Sequence, residues 1–195
     1  MRLILASQSP SRASILRGAG VEPVLEPADI DERALEAQLA EHSPAATVAA
    51  LATAKAEKVA FRYPNEPVIG GDSMLLLDGQ LQGKPHTIDA TVERWHQQAG
   101  RTAQLLTGHC VIFGTQRHVE TSTTTIRFAE AAEADIEAYA RSGEPLECAG
   151  AFTLEAMGGW FIDSIDGDPS SVIGLSLPVV RRALYSFGLG VCDFW

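Results

Sequence analysis

Basic residues are scarce in this chain of 195: 15 Lys and Arg stand against 25 Asp and Glu, a formal net charge of −10. A protein that grips a nucleic-acid backbone needs a basic face, so no nucleic-acid partner is expected. The deficit still leaves room for a small anionic ligand held by a few local cations. Aromatic residues make up only 7% and are not interleaved with basic ones, which removes a stacking platform for single strands. Cysteine is limited to Cys110, Cys148 and Cys192, with no CxxC or CxxH pair. That count and spacing exclude a zinc finger or disulfide framework and fit reduced thiols in the cytoplasm. No apolar run approaches the ~18–20 residues of a membrane span, and residues 1–5 lack the length and cleavage site of a signal peptide. A cytoplasmic protein with no membrane partner is therefore expected. A GxSxG elbow is missing, and so are the glycine-rich phosphate loops of common nucleotide folds. The histidines (42, 86, 96, 109 and 118) form no HxH or HExxH pattern and read as structural or surface groups.

What is present is an alternation of strand and helix signals along the whole length. Residues 2–6 read as a short buried strand. Ser9-Pro10 and Ser43-Pro44 each offer a capping hydroxyl followed by proline at the first helical position. They open helices running to Gly18–Gly20 and to about residue 62. Residues 21–25 read as a second strand and 28–33 as an acidic connection. Residues 67–71 form a short strand delivering Asp72 at its carboxyl end. A hairpin follows over 74–77 and 80–82 around Asp78-Gly79. Further helices are expected over 88–98, 132–141 and 177–187, with strands over 103–113, 117–128 and 160–165. No linker or repeat interrupts the pattern, so residues 1–195 read as one α/β domain with a mixed sheet.

Several groups have chemical potential. Ser7, Ser9, Ser11 and Arg12 surround a strand-to-helix turn, where free N–H groups and the helix dipole favour an anion. Their alternative is plain capping and solvation. Asp72 at a strand end is where α/β folds place catalytic carboxylates, and Gly70-Gly71 would let a ligand approach the backbone. Alternatively it caps a turn. Lys55 and Lys84 matter only if they converge on the serine-rich turn; otherwise they are solvated. The run from Cys148 to Glu155 is small-residue-rich and suits a planar ligand. Residues 166–171 read as a polar turn. The scattered carboxylates are numerous enough to hold Mg²⁺.

In order, LASQSPSR (5–12), DER (31–33), AKAEKVA (54–60), VIGGDS (68–73), LDGQLQGKP (77–85), TGH (107–109), SGEPLECAGAF (142–152) and IDGDPSSVIGLSLP (165–178) resemble the Maf family of nucleoside triphosphate pyrophosphatases. The resemblance implies an elongated, ITPase-like α/β domain with a central mixed sheet flanked by helices and two lobes around an active-site cleft. It implies hydrolysis of a nucleoside triphosphate to monophosphate and pyrophosphate, clearing non-standard nucleotides, with a link to division arrest in some members. It also implies a divalent cation, Mg²⁺ or Mn²⁺, and in many members a homodimer. Position by position, Asp72 matches the catalytic aspartate and, with Glu32, the metal-holding position. Ser7, Ser9, Arg12, Lys55 and Lys84 match phosphate-binding positions. Ser11, Ser73 and Glu155 fall at the specificity positions, where members acting on dTTP and UTP usually carry Arg, Thr and Gln. Glu155 looks more like the 7-methyl-GTP branch, although that branch usually has an aromatic at 11 and Gln at 73. Two alternatives therefore stand beside the reading as a nucleoside triphosphate pyrophosphatase, which commits to no base: a 7-methyl-GTP pyrophosphatase, and a non-catalytic nucleotide-binding regulator of septation.

Overall fold

The computed structural model describes residues 1–195. Seven strands and seven helices are interspersed along the chain, with short 3₁₀ turns in its last third. The strands are β1 (Ile4–Leu5), β2 (Val24–Leu25), β3 (Val68–Leu77), β4 (Gln80–Gln82), β5 (Thr102–Phe113), β6 (Gln116–Phe128) and β7 (Ile162–Asp166). They form one mixed sheet in the order β2-β1-β3-β5-β6-β7, with β4 pairing to β3. β1 runs parallel to both β2 and β3, in register Ile4↔Val24 and Ile4↔Val68. The β3–β4 and β6–β7 pairs are antiparallel, the latter with a register shift at Arg127/Phe128. The helices are α1 (Pro10–Gly18), α2 (Glu32–Gln38), α3 (Pro44–Ala60), α4 (Ile88–Gln98), α5 (Glu133–Arg141), α6 (Pro169–Ile173) and α7 (Leu177–Ser186). None is long and apolar enough to cross a membrane.

The capping signals act as expected. Ser9, Ser43 and Thr87 accept from the backbone N–H three residues on, opening α1, α3 and α4. Ser176 does the same for α7. Such caps contribute about 1 kcal/mol each.

Three expectations are corrected. The short strand over 67–71 and the hairpin arm are one ten-residue strand, β3, so Asp72 sits mid-strand. A Cβ at Gly70 would lie 2.1 Å from the Ala52 carbonyl, so the glycine is what lets α3 lie on the sheet. The acidic connection continues into α2, capped by the Asp31 carboxylate accepting from Ala34 N–H. The polar turn over 166–171 runs into α6, whose first turn is held by Asp168 accepting from Ser170.

The chain divides into two compact units. The first comprises 1–72, 107–122 and 174–195; the second comprises 73–106 and 123–173. The core of the first is aliphatic, with Leu3, Leu5, Leu16, Ile69, Val111 and Leu184 buried together. The second is built on rings: Trp95 meets Phe128, Tyr139 and Phe161 edge-on at 5.4–5.8 Å between centroids. Its indole N–H donates to the Ala151 carbonyl at 2.8 Å. Edge-on aromatic pairs contribute about 0.5–1.5 kcal/mol each beyond area burial.

Candidate active site

In the first unit two periodicities set the site. Along a strand, alternate residues share a face, so Gly70 and Asp72 point the same way. Gly70 meets α3 at Ala52 and Ala56. Lys55 lies on that same buried helix face, with Val48, Leu51, Ala52 and Val59. Lys55 Nζ consequently donates to Asp72 Oδ1 at 2.7 Å, both side chains 9% exposed. The same ammonium lies 3.0 Å from Glu32 Oε2, on the first turn of α2. Asp72 Oδ2 is buried with no hydrogen-bond partner.

Arg12 is buried beside this pair. Its Nε donates to the Gly174 carbonyl at 2.7 Å and its guanidinium to Ser7 Oγ at 3.1 Å. Ser7 Oγ also accepts from Ser9 N–H, so the turn between β1 and α1 is bonded from inside. A Cβ at Gly71 would meet the Arg12 side chain at 3.3 Å. The space beside Gly70-Gly71 thus belongs to α3 and Arg12, not to an approaching ligand as the sequence suggested. Burial pushes the Asp72 carboxyl up, Lys55 and Arg12 pull it back, and the net displacement is upward. Burial lowers the Arg12 guanidinium against the opposing attraction of Asp72 and Glu32.

Glu36, which sequence reasoning missed, belongs to the same field. Its carboxyl is raised by burial and then by the charges of Asp72 and Glu32. The readable signal was its spacing: four residues after Glu32, it shares a helix face. Ser9 and Ser11 are half-buried at the start of α1.

The second unit holds the other predicted residues. Half-buried Ser73 follows Asp72 on β3. Lys84 pairs with Glu147 at 3.3 Å, its side chain half exposed; His86 Nδ1 meets the same carboxylate at 3.0 Å. Glu155 is exposed, and its Oε2 accepts from Leu154 N–H at 3.1 Å. The structure therefore brings together Ser7, Ser9, Arg12, Glu32, Lys55 and Asp72, and places Lys84 and Glu155 in the other unit.

His109 is fully buried and its Nε2 accepts from Ser176 N–H; His96 and His118 pair with glutamates. All three cysteines are free.

Comparison with known proteins decides the family: the one described as Maf-like protein matches residues 2–187. The chain belongs to the Maf family. A Maf relative from Corynebacterium aurimucosum is 74% identical over 195 residues, covering 100% of this chain and 98% of its own. One from Corynebacterium diphtheriae is 72% identical over the same lengths, and one from Nocardia farcinica 50% identical, covering 99% and 96%. Each of the three is named nucleoside triphosphate pyrophosphatase. Among solved structures, that of the Staphylococcus aureus Ham1 protein aligns with 67% of this Maf chain and 73% of its own, at a TM-score of 0.45 and 15% identity. That likeness is too remote to carry an argument.

Proposed function

We propose that this Maf protein hydrolyses a nucleoside triphosphate to the monophosphate and pyrophosphate, with Asp72 as the general base. The class of enzyme rests on the family and on the names of close, full-length relatives. The observation that carries the role of Asp72 is its buried, unpartnered Oδ2 beside an Oδ1 held by Lys55. One oxygen fixes the carboxylate while the other is left to take a proton. In the proposed step a water oxygen bonds to the α-phosphorus, its proton passes to Asp72 Oδ2, and the bond to pyrophosphate breaks. Arg12 and Lys55, with the Ser7–Ser9 turn, stabilise charge on the phosphates.

A divalent cation fits the chemistry of these residues. Around Lys55 and Arg12 stand three carboxylates, Glu32, Glu36 and Asp72, so this cluster has no surplus positive charge for a polyanion. No three acidic, His or Cys side chains converge as a complete ligand set. Asp72 and Glu32 are hard oxygen donors, the number a Mg²⁺-type ion takes from protein when substrate phosphates and water complete its sphere. Bound there, the ion supplies charge neutralisation at the phosphates. Assay in Mg²⁺ against Mn²⁺ selects the metal.

In the second unit, Ser73 and Glu155 are proposed to read the base. A second reading, preference for a guanine-type base such as 7-methyl-GTP, is favoured by Glu155. An ionised carboxylate is acceptor-only and suits an edge presenting donors. Pyrophosphate release from a panel of pyrimidine and purine triphosphates tests both readings. Asp72→Asn is expected to lower kcat by about 10²–10⁴ while leaving nucleotide binding intact. Unchanged release would overturn the role of Asp72. Any effect on septation is expected to vanish with the same variant; persistence would favour a binding regulator.

A further inference from the structure

Glu144 opens the 3₁₀ turn Glu144–Glu147, and its carboxylate takes four hydrogen bonds from one neighbourhood. Oε1 accepts from the Tyr139 hydroxyl at 3.1 Å, the Thr153 hydroxyl at 2.5 Å and Gly158 N–H at 3.0 Å. Oε2 accepts from Met157 N–H at 3.2 Å. Tyr139 is part of the same device, its hydroxyl accepting from Thr153 N–H at 3.2 Å. Every donor outside α5 comes from residues 153–158, the segment that carries Glu155. Just past the segment, Gly159 N–H donates back to the Ala156 carbonyl within it at 3.0 Å. Gly158 has no room for a side chain: a Cβ would lie 2.4 Å from the Thr153 carbonyl and 2.5 Å from the Tyr139 hydroxyl.

A short exposed loop bearing a recognition group normally loses conformational freedom when it binds. Here that freedom is already removed. Two backbone N–H groups and one hydroxyl of the segment are bonded to a single carboxylate, which is anchored through Tyr139 to the ring cluster around Trp95. Charge-assisted bonds of this kind are roughly twice as strong as neutral ones.

We infer that Glu144 is a positioning residue for base selection: it holds the 153–158 segment in one conformation so that Glu155 meets the base at a fixed place. The inference rests on the proposed role of Glu155. It concerns selectivity between bases, because the Glu144 carboxylate is taken up by its bonds from Tyr139, Thr153, Met157 and Gly158. Selectivity is also a readout that simple loss of folded protein does not move. A smaller active fraction scales kcat/KM for every nucleotide equally and leaves their ratio unchanged.

The test measures kcat/KM for the preferred nucleotide and for the runner-up, with thermal midpoints, in Glu144→Gln, Thr153→Val, Glu155→Gln and the Glu144→Gln/Glu155→Gln pair. In Glu144→Gln the new amide directs N–H at a backbone donor, whichever way it is turned. The selectivity ratio is expected to fall by about 10-fold, mainly through KM. Thr153→Val removes one donor and should move the ratio the same way by less. The double variant should be no less selective than Glu155→Gln alone, because Glu144 acts through Glu155. If Glu155→Gln shifts the ratio and neither Glu144→Gln nor Thr153→Val does, the positioning role is overturned and the base reading survives. If Glu155→Gln itself leaves the ratio unchanged, the base reading falls. A shift in Glu144→Gln that adds in full to that of Glu155→Gln would also overturn the inference.

Discussion

The two units handle charge in opposite ways. In the first, Arg12, Lys55 and Asp72 are buried and compensate one another. In the second, Lys84 and Glu155 stand near the surface, and the buried-side investment goes into fixing backbone around Glu144. Buried charges keep their geometry because moving them is costly. Exposed ones keep theirs only if the chain beneath them is held. On the proposed function, the buried cluster serves chemistry common to all substrates, and the held loop bearing Glu155 serves a contact that distinguishes one substrate from another.

Removing one lysine from each unit breaks this comparison most sharply. Lys55→Met should destabilise the protein by about 3–5 kcal/mol, because it strands the buried Asp72 carboxylate. Lys84→Met should stay within about 0.5 kcal/mol, since it breaks an exposed pair with Glu147. Urea unfolding at pH 7 separates the two. Asp72→Asn in the Lys55→Met background should recover part of the loss, as removing the stranded charge requires. Equal losses for the two lysines would erase the contrast between units.

Glycines sharpen the same contrast at a smaller scale. Gly70→Ala forces a methyl against the α3 backbone, with the Ala52 carbonyl 2.1 Å from its Cβ. Overpacking against backbone costs about 1–3 kcal/mol, sometimes more. At Gly83, beside Lys84, nothing lies within 4 Å of a Cβ. Gly83→Ala should therefore move the urea midpoint little, within about 0.5 kcal/mol.

The same positions show what the sequence made legible. Caps at Ser9 and Ser43 and the Asp78-Gly79 hairpin are local features, and local chemistry reads directly. The full length of β3 was not legible: residues 67–71 and 74–77 read as separate pieces, although they are one strand whose Gly70 admits a helix lying far away in the sequence. Lys55 looked like a typical solvated lysine, although its helix face was readable. What drew it into the buried cluster was Asp72, 17 positions away and two residues beyond a glycine that admits α3. The motif resemblance supplied Asp72, Lys55 and Glu32 together. It did not supply Glu36 or the four bonds to Glu144, since hydrogen bonds converging from α5 and a later loop leave no pattern in the chain.

Acid tests the second unit's device. The Glu144 carboxyl is opposed by burial, but its bonds from Thr153, Gly158, Met157 and Tyr139 outweigh this and hold it below the usual carboxylate range. A folded value below the unfolded one gives stability that is complete above the unfolded pKa, about 4.3. It is lost as pH falls through the folded value. The stability gap between the parent protein and Glu144→Ala should be constant from pH 7 to about 5 and narrow below about 4. A gap that does not vary with acid would mean that the ionised carboxylate is not what holds the segment.

Thiol labelling gives the finest contrast. Cys192 is exposed, Cys110 is buried in the first unit, and Cys148 is partly buried in the second. Burial, then the nearby Glu155 and Glu144 carboxylates, push the Cys148 thiol up to about 11. At pH 8 its reactive thiolate is then only about one part in a thousand, against roughly a quarter for an ordinary thiol near 8.5. Iodoacetamide at pH 8, followed by peptide mass analysis, should modify Cys192 and spare the other two. Glu144→Ala removes one of the opposing charges and frees the segment bearing the other, so Cys148 alone should then label faster. If Cys148 labels as quickly as Cys192 in the parent protein, residues 144–158 are not held closed in solution. Faster labelling of Cys110 in that variant would instead mean that losing Glu144 disturbs the first unit too, and that the two units do not answer separately to substitution.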